Sequence, residues 1–175
     1  MASREGVSGR GGPWRGIVLA VALAGLALPA RAANTCPWMN EATASGLLGS
    51  EAVGSYTPAA AAQPAGCIFV ESNQGITRTL TITVETNADA HARVGALLNA
   101  SNAMPSALQA IGNEAEMCKA VWPHGVRGEV VGGRVRDQAF SIAISTTMKN
   151  DPVLNAEELE NRIATAAEQV TGSLF

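Results

Sequence analysis

Between Thr77 and Thr86 the chain alternates strictly. Leu80, Ile82 and Val84 fall on one side, and Thr79, Thr81, Thr83 and Glu85 on the other. A period of two puts successive side chains on opposite faces of a strand. This segment therefore requires a sheet with one dry face and one wetter face. Gln138–Thr146 repeats the pattern, with Phe140, Ile142 and Ile144 set against Ala139, Ser141, Ala143 and Ser145. Each run has a partner. Cys67–Glu71 is a short apolar strand, joined to Thr77–Thr86 through the turn residues Asn73-Gln74-Gly75. Glu129–Arg136 forms a second hairpin with Gln138–Thr146, Asp137 lying in the turn and Gly132-Gly133 reading as a bulge or sharp twist. Glu114–Trp122 supplies a further strand.

The helices are fewer. Asn40 caps a short one that buries Leu47 and Leu48 and stops at Gly49. Asp89–Asn99 carries Val94, Leu97 and Leu98 on its apolar side. At the C-terminus Asn155 and Glu158 form a capping-box-like start, and Leu159, Ile163, Ala166, Ala167 and Val170 recur at helical spacing. Gly172 is read as the stop, with Leu174 and Phe175 pinned on the domain. The Ala/Pro-rich stretch Ser55–Gly66 is read as a flexible loop, because Pro58 and Pro64 bound its alanines. Strands joined by short turns favour an antiparallel sheet. The predicted fold is α+β, with helices packed mainly on one face and a long amphipathic helix at the C-terminus.

Residues 1–32 have the order of a secretory signal. Arg4, Arg10 and Arg15 precede an apolar run of 12 residues, Ile17–Leu28, and Ala30-Arg31-Ala32 gives small residues at a cleavage site. The run is short of the roughly 20 residues needed to span a bilayer. The expected destination is the periplasm or the extracellular medium, with no stable membrane anchor after cleavage and one domain over residues 33–175. That domain has eight basic and fourteen acidic residues, a net charge of about −6. It has no Lys/Arg cluster, so nucleic acid is not an expected partner.

All three cysteines lie beyond the signal, in a compartment where disulfides persist. At most one bridge can form within the chain. Cys36–Cys67 is the favoured pair, since it would staple the Ala/Pro-rich stretch, and Cys118 is then the free thiol. The other pairings stay open, because spacing alone does not fix connectivity.

Cys36-Pro37-Trp38-Met39-Asn40, leading to Leu47-Leu48-Gly49 and then to Cys67-Ile68-Phe69, resembles the opening of small secreted bacterial domains of unknown function. Ile111-Gly112-Asn113-Glu114-Ala115 and Val135-Arg136-Asp137 with Phe140-Ser141-Ile142 continue the same layout. The resemblance implies an α+β domain similar to the PsbP/Mog1 type. It supplies no activity.

Chemistry-bearing residues are sparse. Cys118 with His124 is the candidate for a thiol-dependent redox protein or enzyme. Met117, Cys118, His124 and Met148, with His91, are the candidate soft-metal set for copper. Neither spacing matches a common motif, so no cofactor, metal or catalytic residue is assigned. Glu114, Glu116, Glu129 and Asp137 are read as a solvated rim. Arg134 and Arg136 are a candidate anion clamp, or alternatively partners for Glu129. Asn99-Ala100-Ser101 matches a glycosylation sequon. The expectation is a non-catalytic exported binding domain for a protein or small-molecule partner, recognised by the uncovered sheet face or the Ser55–Gly66 loop.

Overall fold

The computed structural model describes residues 35–61, 63–87, 89–98 and 104–175, apart from the side chain of Leu97. The signal segment and the sequon lie outside these residues. In chain order the elements are α1 (Glu41–Leu48), β1 (Val53–Thr57), β2 (Ala65–Asn73), β3 (Ile76–Thr86), α2 (Ala90–Leu98), β4 (Ser106–Ala107), β5 (Glu114–Val121), β6 (Arg127–Val135), β7 (Gln138–Thr146) and α3 (Ala156–Leu174). The strands form one open antiparallel sheet in the order β1-β2-β3-β7-β6-β5-β4. The hairpins β2–β3 and β6–β7 are therefore fused through β3 and β7.

Alternation decides which side each residue meets. Phe69, Leu80, Ile82, Val84, Val131, Val135, Phe140, Ile142 and Ile144 face the main core with Leu48 of α1 and Leu159, Ile163, Ala166, Ala167 and Val170 of α3. The opposite face carries a smaller cluster, in which Val94 and Leu98 of α2 cover Cys118 and Val130. Among the described residues two of the three α-helices thus share one face, and α2 covers only the β5–β7 half of the other. Over β2 and β3 that second face holds Ile68 and Val70, both exposed, and the half-buried Thr79, Thr81 and Thr83.

Local chemistry sets the boundaries. Asn40 Oδ1 accepts from the Thr43 N–H at 2.8 Å, and Gly49 closes α1 in the left-handed region at φ 97°. Asn155 Oδ1 accepts from the N–H groups of Glu157 and Glu158, both at 3.1 Å, and fixes the start of α3. Gln74 and Gly75, at φ 51° and 81°, make the tight turn of the β2–β3 hairpin. Cys36 and Cys67 form a disulfide with Cα atoms 5.7 Å apart, tying the segment before α1 to β2.

Three expectations are corrected. Ser55, Tyr56 and Thr57 are not loop but strand, paired with Ile68, Cys67 and Gly66, and Tyr56 packs edge-on against Trp38 at 6.0 Å. Gly132-Gly133 makes no bulge, for the β6–β7 register runs unbroken through both. Bare backbone is needed there for contact instead: a Cβ on Gly132 would press on Leu98, and one on Gly133 would come within 2.8 Å of the Phe140 ring. Gly172 does not stop α3, which continues through it to Leu174. Leu174 packs on the core, whereas Phe175 is two-thirds exposed with the Arg136 guanidinium 5.9 Å above its ring.

Candidate functional site

On the α3 side of the sheet, register aligns Glu71, Arg78, Thr146 and Arg127 in one row across β2, β3, β7 and β6. Phe69, Leu80, Ile144, Glu129 and Lys119 form the next row. One polar row, and the charged end of a second, thus enter a face that is otherwise hydrocarbon. Their fates differ, and the difference locates the site.

From Glu71 to Thr146 the first row is closed on itself. Arg78 is 5% exposed and donates to both oxygens of Asp151, Nε to Oδ2 at 2.7 Å and Nη2 to Oδ1 at 2.9 Å, and through Nη1 to Glu71 Oε2 at 2.9 Å. Ser50 donates to Glu71 Oε1 and Thr146 to Asp151 Oδ2, each at 2.7 Å. The Val153 and Leu154 N–H groups complete Asp151 at 2.8 and 3.2 Å. Burial acts to raise the Asp151 carboxyl, but the hydrogen bonds from Arg78, Thr146 and the two amides outweigh it and hold the group well below the ordinary carboxylate range. Breaking such a network leaves a buried charge uncompensated, which is why it fixes the segment leading into α3.

Arg127, at the end of the first row, and Glu129, in the second, are left open. Glu129 is 2% exposed, and its Oε2 is buried without a hydrogen-bond partner. Burial, and then the charge of Glu160 on α3, push its carboxyl above the ordinary value, with Lys119 opposing. Arg127 donates from Nη1 to the Lys149 carbonyl at 3.3 Å, but its buried Nε has no acceptor. Both groups line a cavity of about 500 Å³ between the β5–β6 end of the sheet and the start of α3. Lys119, Lys149, Asn150 and Asn155 surround it, and Leu154 and Leu159 supply apolar wall. A concave site with a few convergent polar groups is the usual form of a small-molecule pocket, and this volume lies within the ordinary range.

The anticipated residues fall elsewhere. Glu129 is not part of a solvated rim: it shares the inward face with Val131 and Val135. Glu114 is on the surface, where it accepts from Arg134 Nε at 2.6 Å and lies 2.8 Å from His91 Nδ1. Burial acts to raise Glu114, and the contacts from His91 and Arg134 prevail and lower it. Arg134 is thus engaged by Glu114, its cross-strand neighbour, and not by Glu129, which sits five positions away on the other face. Arg136 lies in the β6–β7 turn at φ 57°, over Phe175, so the two arginines address separate partners. Cys118 is a free thiol, 3% exposed beneath α2. Met117 points from the opposite face of β5 into the main core, so these two sulfurs cannot share one ligand set. His124 is exposed in the β5–β6 connection. Among the described residues no three His, Cys, Asp or Glu side chains group to hold a metal ion, and no helix is long and apolar enough to cross a membrane.

Comparison with known protein families, characterised proteins and solved structures found no match to this chain.

Proposed function

We propose that this chain is an exported, non-catalytic binding domain of the periplasm or extracellular medium, and that a small ligand occupies the cavity between β5, β6 and the start of α3. One observation carries the reading: Glu129 is buried, and its Oε2 has no hydrogen-bond partner, at a cavity large enough for a ligand. An unsatisfied buried polar group costs on the order of 1–3 kcal/mol, and more when charged. A fold that satisfies Asp151 with five donors has the means to satisfy Glu129, and a ligand is what would do so. The second carboxylate in the cavity, Asp151, has both oxygens engaged and is not free to act with Glu129 as an acid–base pair. The disulfide and the signal-like N-terminus favour the exported address, as does the resemblance to small secreted bacterial domains.

The test is amide mapping. Protein produced from the full chain in a bacterial host is ¹⁵N-labelled and titrated with a library of small polar fragments. The reading expects a mature N-terminus at Ala33, shifts concentrated at Arg127, Glu129, Asn150 and Asn155, and fragments recovered unchanged. Shifts confined to the exposed face of β2 and β3, or none at all, would remove the cavity from consideration. Recovery of a chemically altered fragment would overturn the non-catalytic assignment.

A further inference from the structure

The domain from Ala33 onward has eight cationic side chains other than histidine, and the structure accounts for five of them. Arg78 is enclosed by Glu71 and Asp151. Arg93 pairs with Glu85, Arg134 with Glu114, and Arg162 with Glu158. Arg136 sits over Phe175. The other three are Lys119, Arg127 and Lys149. Among the described residues none of these has a carboxylate within 4 Å, although the domain has fourteen acids. All three line the cavity that holds Glu129.

The site therefore presents two kinds of unmet demand. Lys119 stands directly across the β5–β6 ladder from Glu129 and acts on it electrostatically, yet makes no ion pair with it. Arg127 and Glu129 lie two positions apart on one strand, so they share a face and their Cα atoms are separated by about 7 Å. They are neighbours of opposite charge, and neither the Arg127 Nε nor the Glu129 Oε2 is used by the other. A purely anionic ligand would match the three cations but would bury its charge against Glu129. A purely cationic ligand would match Glu129 but would have to sit among Lys119, Arg127 and Lys149. Only a ligand with both signs, and with more negative than positive groups, meets every partner the cavity offers.

We infer that the ligand is an acidic amino acid, with its ammonium group on Glu129 and its carboxylates on Arg127 and the flanking Lys119 and Lys149. This rests on the reading of the cavity as a ligand site. The buried Arg127 Nε and Glu129 Oε2 fix the orientation, because charge-assisted hydrogen bonds are strong where water is excluded. The two lysines are solvated and contribute mainly to attraction. Discrimination against analogues then follows from the groups left unpaired when one end of the ligand is missing.

Calorimetric titration of the protein with three probes tests this. L-Glutamate carries both signs, glutarate lacks the ammonium, and L-glutamate dimethyl ester lacks the carboxylates. L-Glutamate is expected to bind, with glutarate and the diester each about 10- to 100-fold weaker. Glu129→Gln and Arg127→Met should each weaken L-glutamate by a similar factor while the thermal midpoint of Glu129→Gln stays level or rises, which separates lost recognition from lost folding. Glutarate binding as tightly as L-glutamate would overturn the inference in favour of a plain anion site, and equal binding of the diester in favour of a plain cation site. Absence of L-glutamate binding, or binding unchanged in Glu129→Gln, overturns it as well. If polar fragments still map onto Arg127 and Glu129 in that case, only the ligand class falls; if they do not, the cavity falls with it.

Discussion

Arg78 and Asp151 stand 73 positions apart in the chain and meet in a buried bidentate pair, Nε to Oδ2 at 2.7 Å and Nη2 to Oδ1 at 2.9 Å. The pair joins β3 to the segment that leads into α3. Removing one partner strands the other charge in the core, at a cost of about 3–5 kcal/mol. Asp151→Asn is expected to lose stability on that scale in urea unfolding. A loss under about 1 kcal/mol would place it among ordinary surface substitutions, and the pair would not be what anchors α3.

Asp151 and Glu129 give opposite pH dependences. Asp151 titrates lower in the fold than its ordinary value of 3.8. Its contribution is complete above that value and is lost as pH falls below it toward the folded pKa. Glu129 titrates higher in the fold than its ordinary 4.5. Its penalty is absent below 4.5, grows as pH rises from there through the raised folded pKa, and is constant above. The charges acting on it are Glu160 from α3 and Lys119 from β5, while Arg127 from β6 and Lys149 and Asp151 from the β7–α3 connection line the same cavity. Glu129→Gln should therefore be more stable than the parent at pH 7.5, by about 1–3 kcal/mol, and no more stable at pH 4. Thermal midpoints of both proteins at the two pH values check this. A difference independent of pH would mean that Glu129 carries no unfavourable charge in the fold.

Much of this was legible, and the gap has a physical cause. The α+β class, the capping by Asn40 and Asn155 and the two hairpins follow from period, cap and turn residues. The inward position of Glu129 was also within reach. With Val131 and Val135 facing the core, residue 129 must share their face, and a carboxylate at an inward position marks a site. The same parity excludes Arg134 as its partner. Asp151 was not accessible in this way, for no local pattern announces a pairing across 73 positions. Nor did composition show that three of the four cations lacking carboxylate partners, Lys119, Arg127 and Lys149, gather in one place. Patterning reports which face a residue occupies, while the partners on that face are a tertiary property.

The cysteines give a prediction on accessibility. Cys118 is buried beneath Val94 and Leu98, and Cys67 is wholly buried in the bridge to Cys36. Native protein should resist alkylation, and unreduced protein in urea should take up one label, on Cys118. Opening the bridge frees a loop of 31 residues, for which the chain-entropy treatment gives a loss of about 3.7 kcal/mol. Cys36→Ser with Cys67→Ser should lower the urea midpoint accordingly. Rapid native labelling of Cys118 would show that α2 opens readily from the sheet.

Two glycine-to-alanine changes should act in opposite directions for separable reasons. Gly128 lies on β6 where the β7 backbone comes closest: an added Cβ would approach the Ile144 carbonyl carbon and the Ser145 Cα to 2.8 Å. Those atoms are main chain and cannot rotate away, so the β6–β7 ladder must part there. That strand also carries Arg127 and Glu129, so Gly128→Ala is expected to destabilise the fold by about 1–3 kcal/mol or more and to perturb the cavity amides. Gly172 sits within α3 without positive φ, and an added Cβ there would have no heavy atom within 4 Å. Alanine at that position meets nothing and restricts the unfolded chain, so Gly172→Ala should stabilise by about 0.4–1 kcal/mol. Urea unfolding of the two variants beside the parent decides the matter. If Gly128→Ala were neutral, β6 would have room to move against β7, and the position of Arg127 and Glu129 relative to β7 would not be fixed by this contact.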